Sequence, residues 1–189
     1  MNTPQEVAAR AAELLQAGCV LIDLETTGMA DDPGVQVIEV AIIDAAGTVL
    51  LNTLVRPQGR IPPDASRINR IYDADVADKP PFPAVYPQIV NLLNGRVVIA
   101  YNHEFEQGVL RHVCRRHMLP EPKPAEWWCA MRAYTTFIGA LRYTRLGDAC
   151  RREGIPVENV HRALGDVLLT LALVRKMAAA AAPTQPRLF

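Results

Sequence analysis

Apolar positions recur along this chain in two rhythms. Val7, Ala11, Leu14 and Leu15 fall at helical spacing and predict an amphipathic helix over residues 4–17. Val20-Leu21-Ile22 leads a first strand over about 19–24, and Val35–Asp44 is a longer, strongly β-branched second strand. Asp31-Asp32-Pro33-Gly34 marks the turn between them, and Ala45-Ala46-Gly47 is a tight turn into a third strand, Thr48–Val55. Connections this short predict an antiparallel meander. Proline-rich loops follow, with a short helical piece at Ala65–Ile71, and a helix over Ala84–Leu93 ends on Asn94-Gly95. Val97–Tyr101 is apolar throughout, the pattern of a strand covered on both faces. A helix over Glu104–Met118 turns Phe105, Val109, Leu110, Val113 and Cys114 inward. A short strand at Glu126–Cys129 precedes helices at Met131–Phe137, Leu146–Gly154 and Ala163–Ala180, the last with Val167, Leu168, Leu171 and Val174 on one face.

A meander followed by strand–helix alternation describes an α/β fold: a mixed β-sheet, with an antiparallel three-strand meander plus parallel strands, flanked by helices. No internal repeat or long linker divides the chain, so one folded unit spans 19–178. An N-terminal helix (1–18) packs on it, and a flexible tail (179–189) follows. The chain has 189 residues, half of them apolar, which is enough for a proper core. No stretch approaches the about 18 apolar residues of a membrane span. The N-terminus lacks the apolar centre and basic start of a secretion signal, so a soluble, cytoplasmic protein without membrane contact is expected. Cys19, Cys114, Cys129 and Cys150 are scattered, without the spacing of a zinc site, and read as free thiols. Lys+Arg and Asp+Glu both number 20. That balance excludes grip on a long nucleic acid by bulk charge and leaves only local contacts, such as a strand end.

Three polar groupings break the apolar pattern. Asp23 and Glu25 end the first strand and, being two apart, share a face. Two carboxylates there either face water at a strand tip or ligate a hard divalent cation, because burying them unpaired costs several kcal/mol each. Asn102-His103-Glu104-Phe105-Glu106 follows the fourth strand, where open α/β sheets form ligand crevices. His161-Arg162-Ala163-Leu164-Gly165-Asp166 opens the last helix. Positions five apart on a continuous helix diverge by about 140°, so His161 converges with Asp166 only from the preceding loop or the first turn. Glu39 shares a strand face with Val37, Ala41 and Ile43, and is either at the sheet rim or paired.

These groupings resemble the DEDDh class of 3′→5′ exonucleases, the RNase T superfamily that includes exonuclease X and bacterial proofreading subunits. The likeness covers about residues 19–178. It rests on D-x-E-T at Asp23–Thr26, N-x-x-F-[D/E] at Asn102–Glu106 and H-x-A-x-x-D at His161–Asp166, in the family's order. Weaker echoes are Ile68-Asn69-Arg70-Ile71 and Trp128–Arg132. The resemblance implies a ribonuclease H-like exonuclease fold and hydrolysis of phosphodiester bonds with two divalent ions, Mg²⁺ or Mn²⁺. Such ions sit roughly 3.5–4 Å apart and stabilise the attacking and leaving oxygens. It implies that Asp23 bridges the ions, that Glu25 and Asp166 complete one, and that Glu106 acts around the other. His161 is the implied general base, as an imidazole suits proton transfer near neutral pH. Thr26, Thr27 and Gly28 are implied to line the pocket of the 3′-terminal nucleotide, with Asn69, Asn102 and Phe105 also on the substrate side.

The expected substrate is a single-stranded or frayed 3′ end, DNA first and RNA as the alternative, with nucleoside 5′-monophosphates released. Two departures from the pattern bear on this. Glu106 stands where the family has aspartate, which retunes the site or leaves a catalytically silent module that holds 3′ ends. Tyr101 replaces a frequent histidine. Among the remaining histidines, His103, His112 and His117 read as surface residues, His103 alone near the site. Trp127 and Trp128 read as core, and Arg111, Arg115 and Arg116 as a solvated helix face. The terminal Gln185, Leu188 and Phe189 resemble the short peptide that docks bacterial proteins on the sliding clamp; the bland alternative is an inert end. A DNA polymerase is a further candidate partner by the same resemblance.

Overall fold

The computed structural model describes residues 3–157 and 161–181. Helix α1 (Pro4–Gln16) starts with a capping box: the Thr3 hydroxyl accepts the Glu6 N–H at 3.2 Å, and the Glu6 carboxylate accepts the Thr3 N–H at 2.7 Å. Strands β1 (Val20–Thr26), β2 (Val37–Asp44) and β3 (Val49–Leu54) form the antiparallel meander. β4 (Val97–Ala100) and β5 (Glu126–Cys129) add in parallel beside β1, giving the order β3-β2-β1-β4-β5. The mixed sheet flanked by helices is the one the pattern predicts.

Because successive strand residues face opposite ways, β1 feeds two cores. Val20, Ile22 and Leu24 pack under α4 (Phe82–Leu93) and α5 (His103–Arg116). Leu21, with Ile43 and Ile99, packs under α1, α6 (Ala130–Phe137) and α8 (Ala163–Ala179). α7 (Leu146–Arg152) lies against α8. A smaller cluster of Ile38, Ile61, Ile71 and Val76 seats α2 (Pro63–Asn69) and α3 (Asp73–Val76). Trp127 and Trp128, neighbours on β5, are half-buried against opposite cores. The four cysteines are buried and free. Among the described residues no helix is long and apolar enough to cross a membrane.

Several boundaries differ from the pattern for local reasons. β2 starts at Val37 rather than Val35, because Gln36 is held in the preceding loop by Thr27 on both sides: the Thr27 N–H donates to the Gln36 carbonyl and the Thr27 hydroxyl accepts the Gln36 N–H, each at 2.9 Å. α2 begins at Pro63, whose fixed φ suits a first turn, and ends at Asn69 because Arg70 turns left-handed at φ 58°. The four-residue α3 is too short to leave a periodic signal. Leu168 corrects the inward face of α8: it is exposed, whereas Leu169 and Leu173 are buried beside Val167, Leu171 and Val174.

Candidate active site

β1 runs antiparallel to β2 and parallel to β4, and a cleft of about 440 Å³ opens where β1 and β4 end. Along β1, the register with β4 covers Val20 and Leu21, so β1 continues past that neighbour and presents Asp23 and Glu25 to the cleft. Asp166, in the first turn of α8, meets them there. One carboxylate oxygen from each of Asp23, Glu25 and Asp166 lies within 4.8 Å of the others. Glu106 arrives from α5, which covers the opposite face of the sheet, and lines the same cleft. It is 4% exposed, and its Oε2 has no hydrogen-bond partner; Asp166 Oδ1 is likewise unpartnered.

Carboxylates this crowded hold protons unless a cation balances them. Burial raises Asp23 well above the usual carboxylate range, with the charges of Glu106, Glu25 and Asp166 adding to it. Burial, then Asp166 and Glu39, push Glu25 up to about 8. Burial, helped by the Glu25 charge, puts Glu106 at about 8. Asp166 is also raised by burial, against the pull of the His161 N–H and imidazole. The donor set is all oxygen, clustered and partly orphaned, which fits a hard divalent cation such as Mg²⁺ or Mn²⁺.

This electrostatic strain has a measurable sign. Carboxyls raised in the folded state add stability below their unfolded pKa and lose it as pH climbs through the folded value, about 8 for Glu25 and Glu106. The metal-free melting temperature is therefore expected to fall from about pH 5 to about pH 8.5. Mn²⁺ should raise it more at the upper pH, with protons released on binding. Calorimetry across that range checks both, and a metal-induced rise that shrinks with pH would contradict them.

His161 stands one residue before Arg162, the N-cap of α8, and takes a left-handed φ of 64°. Lying off the helix, as the five-residue spacing requires, it lines the cleft together with Asp166. Its placement depends on Glu39, which proves to be paired. Glu39 is opposite Glu25 across β1 and β2, and is 3% exposed. Its carboxylate accepts Arg162 Nε at 3.0 and 3.2 Å, Arg162 Nη2 at 2.6 Å and the Ala163 N–H at 3.0 Å. The fork ties the start of α8 to the sheet and caps the helix. Sequence reasoning passed over Arg162; the signal was a glutamate on an inward strand face that needed a cation. Glu39→Gln keeps the shape and removes the charge. It should cost about 2 kcal/mol, a melting temperature about 4–8 °C lower, with kcat falling about 10-fold as His161 and Asp166 lose their seat. Calorimetry and steady-state kinetics test this, and an unchanged kcat would remove the positioning role.

Beyond the carboxylates, the Thr26 hydroxyl donates to the Gly28 carbonyl at 2.6 Å and shapes the loop after β1. A Cβ on Gly108 of α5 would lie 3.2 Å from the Ala30 Cβ, so a glycine inside that helix lets the loop rest on it. Thr26, Thr27, Gly28, Asn69, Asn102 and Phe105 all line the cleft. Asn69 is turned inward, its amide donating to the Thr26 carbonyl at 3.4 Å and its Oδ1 accepting the Ile71 N–H at 3.0 Å. It braces the wall of the pocket. Met29 and Ile68, exposed at 68% and 59%, stand in the same lining and had no motif to announce them. His103 follows Asn102 at the first position of α5, but its ring lies beside Trp127, centroids 6.4 Å apart, in a separate depression. His117 stacks on Phe82, Arg116 donates to the Pro33 carbonyl at 2.7 Å, and Arg111 faces Glu121 at 3.6 Å. Gln185, Leu188 and Phe189 lie outside the described residues.

Comparison with known proteins agrees with this geometry. A family model described as exonuclease matches residues 20–174. Exodeoxyribonuclease 10 of Escherichia coli is 31% identical over 161 residues, 82% of this chain and 66% of that protein. DNA polymerase III subunit epsilon of Treponema pallidum is 29% identical over 162 residues, 83% and 74% of the two chains. Among solved structures, exonuclease X in complex with 5′-overhanging duplex DNA superposes with a TM-score of 0.67 at 29% identity, covering 86% of this chain and 92% of that one.

Proposed function

We propose, from the premise that the chain belongs to the exonuclease family and is a 3′→5′ exonuclease, that it removes nucleotides from single-stranded or frayed DNA 3′ ends as nucleoside 5′-monophosphates. The observation that carries this reading is the meeting of Asp23, Glu25 and Asp166 within 4.8 Å in a cleft shared with Glu106 and His161. The name of the Escherichia coli relative favours deoxyribonucleotides. The balanced net charge suits an enzyme that grasps a few terminal nucleotides.

Two divalent ions, Mg²⁺ or Mn²⁺, held by Asp23, Glu25 and Asp166 with Glu106 toward the second, would offset charge on the attacking and leaving oxygens. The chain's own groups do the rest. The loop from Thr26 to Gly28, braced by Asn69, receives the terminal nucleotide, with Phe105 against its sugar or base. Asn102, at the N-cap position of α5, lines the cleft ahead of Glu106 in the first turn of that helix. His161 accepts the proton of the attacking water, and the 3′-oxygen of the preceding nucleotide departs. The buried Glu106 carboxylate, its Oε2 unpartnered in the cleft, supports a working site over a silent one.

The test is to incubate 5′-labelled single-stranded DNA and RNA with Mn²⁺, with and without chelator, beside Asp23→Ala. A chelator-sensitive ladder shortening from the 3′ end, faster on DNA and absent in the variant, is the expected result. Faster RNA trimming replaces the DNA assignment, and no shortening of either polymer overturns the function. The tail motif at Gln185, Leu188 and Phe189 supports a bacterial sliding clamp as partner, and the name of the Treponema relative supports a DNA polymerase. Clamp binding should be lost in Leu188→Ala/Phe189→Ala, and a wild type that does not bind removes that partner.

A further inference from the structure

The depression that holds His103 has a volume of about 360 Å³ and, among the described residues, no wall in common with the active-site cleft. It runs along β5, the last strand in the sheet order, whose outer edge has no strand beside it. α1 contributes Arg10 to it, α5 contributes His103, and α6 contributes Arg132 and Thr136. Trp127 and Trp128 face opposite cores from β5, yet both reach this edge. They are the two tryptophans of the chain, and the exonuclease chemistry uses neither.

The lining has two kinds of chemistry. Two adjacent indoles left half-open, with the His103 ring 6.4 Å from that of Trp127, offer flat apolar faces to a planar ring. His103 Nδ1 is buried there and has no hydrogen-bond partner, a cost that a ligand's polar group would remove. Beside the rings stand two guanidinium groups, and the described lining contains no carboxylate. Arg132 gives one N–H to Glu104 at 2.6 Å, and Arg10 bonds Glu13 and Glu126. A guanidinium has five N–H groups, so such a pair leaves donors for an anion. The pairs are solvent-exposed, with Arg132 at 48% and Glu104 at 60%, and exposed pairs hold their partners weakly. The three glutamates outside the lining also set a limit. A polyanion crossing that rim would meet them in turn, whereas one phosphate reaching inward meets arginine. The volume lies near the lower end of the about 300–1,000 Å³ typical of small-molecule sites, which is room for one nucleotide.

We infer that this depression is a second ligand site, separate from the active centre, that binds a free nucleoside 5′-monophosphate with its base against the indoles and its phosphate on Arg132. Because both tryptophans line it, their emission reports on this site and no other. The full chain is titrated with deoxyadenosine 5′-monophosphate in the presence of chelator, where the crowded carboxylates of the cleft repel a phosphate. A saturable change in tryptophan emission is the expected result, with deoxyadenosine and inorganic phosphate each bound at least about 10-fold more weakly. Arg132→Ala, at an exposed position, should weaken the monophosphate about 10-fold and leave deoxyadenosine unchanged. Trp127→Leu, read through Trp128, should weaken both about 10-fold. The wild type failing to show a saturable change overturns the inference. So does deoxyadenosine binding as tightly as the monophosphate, or an Arg132→Ala protein that holds the monophosphate undiminished. If a single-stranded oligonucleotide shifts the emission and the monophosphate does not, the depression serves a strand and the inference falls. No hydrolysis is measured and no metal is present, so the outcome is independent of the exonuclease reading.

Discussion

Asp23→Asn should lower kcat on single-stranded DNA by about 10³-fold or more, on the order of 4 kcal/mol of transition-state stabilisation, while making the metal-free protein more stable. The two effects share one cause. Asp23 stands among three other carboxylates, and burial together with their charges opposes its ionisation. An asparagine keeps the volume, ends one source of repulsion, and offers N–H groups to Glu25 and Glu106. A rise of a few degrees in the metal-free melting temperature at about pH 8 is expected, at about 2–4 °C per kcal/mol for a chain of this size. The rise that Mn²⁺ produces in the wild type should vanish, because a ligand stabilises only the state that binds it. Calorimetry with and without Mn²⁺, beside single-turnover kinetics, reads both quantities. An Asp23→Asn protein that stays active, or that melts lower without metal, would mean that the carboxylates are paired elsewhere and do not form one site.

What the sequence revealed of this arrangement follows from how each feature is encoded. The period-two run through β1 placed Asp23 and Glu25 on one face, because strand alternation is local and leaves little freedom. The off-helix position of His161 followed from helical geometry alone. Glu39 shows the limit. Its place on an inward strand face was legible, but its partner Arg162 lies 123 positions away, and nothing local distinguishes a buried pair from a residue at the sheet rim. The direction of the His103 ring was not legible for a related reason: nearness in sequence to Glu106 says little about which side of the first turn of α5 a side chain takes. Gly108 carried a signal that went unused. A glycine inside a helix costs about 1 kcal/mol relative to alanine, and here it admits the loop of Ala30. Tyr101 looked like a tolerated replacement until its hydroxyl met the Thr144 carbonyl.

His161→Gly is the sharper test of mechanism, because the backbone predicts which substitution leaves the fold alone. At φ 64°, a β-branched or bulky residue would add strain, whereas glycine adopts this conformation freely. The side chain is exposed and makes no core contact, so stability should change little. What disappears is the proposed acceptor for the proton of the attacking water, and general-base groups contribute about 10²–10⁴-fold. A kcat about 10³-fold lower with KM nearly unchanged is therefore expected, since the proposed grip on substrate is by the Thr26–Gly28 loop and not by the imidazole. Two further readouts separate a base from a metal ligand. The Mn²⁺-induced rise in melting temperature should survive in His161→Gly, unlike in Asp23→Asn. Free imidazole added to the glycine variant should restore part of the rate by entering the space left beside Asp166, and should do nothing for Asp23→Asn. If the variant instead loses its response to Mn²⁺ and imidazole gives no recovery, His161 serves the cation and the proton goes to another acceptor.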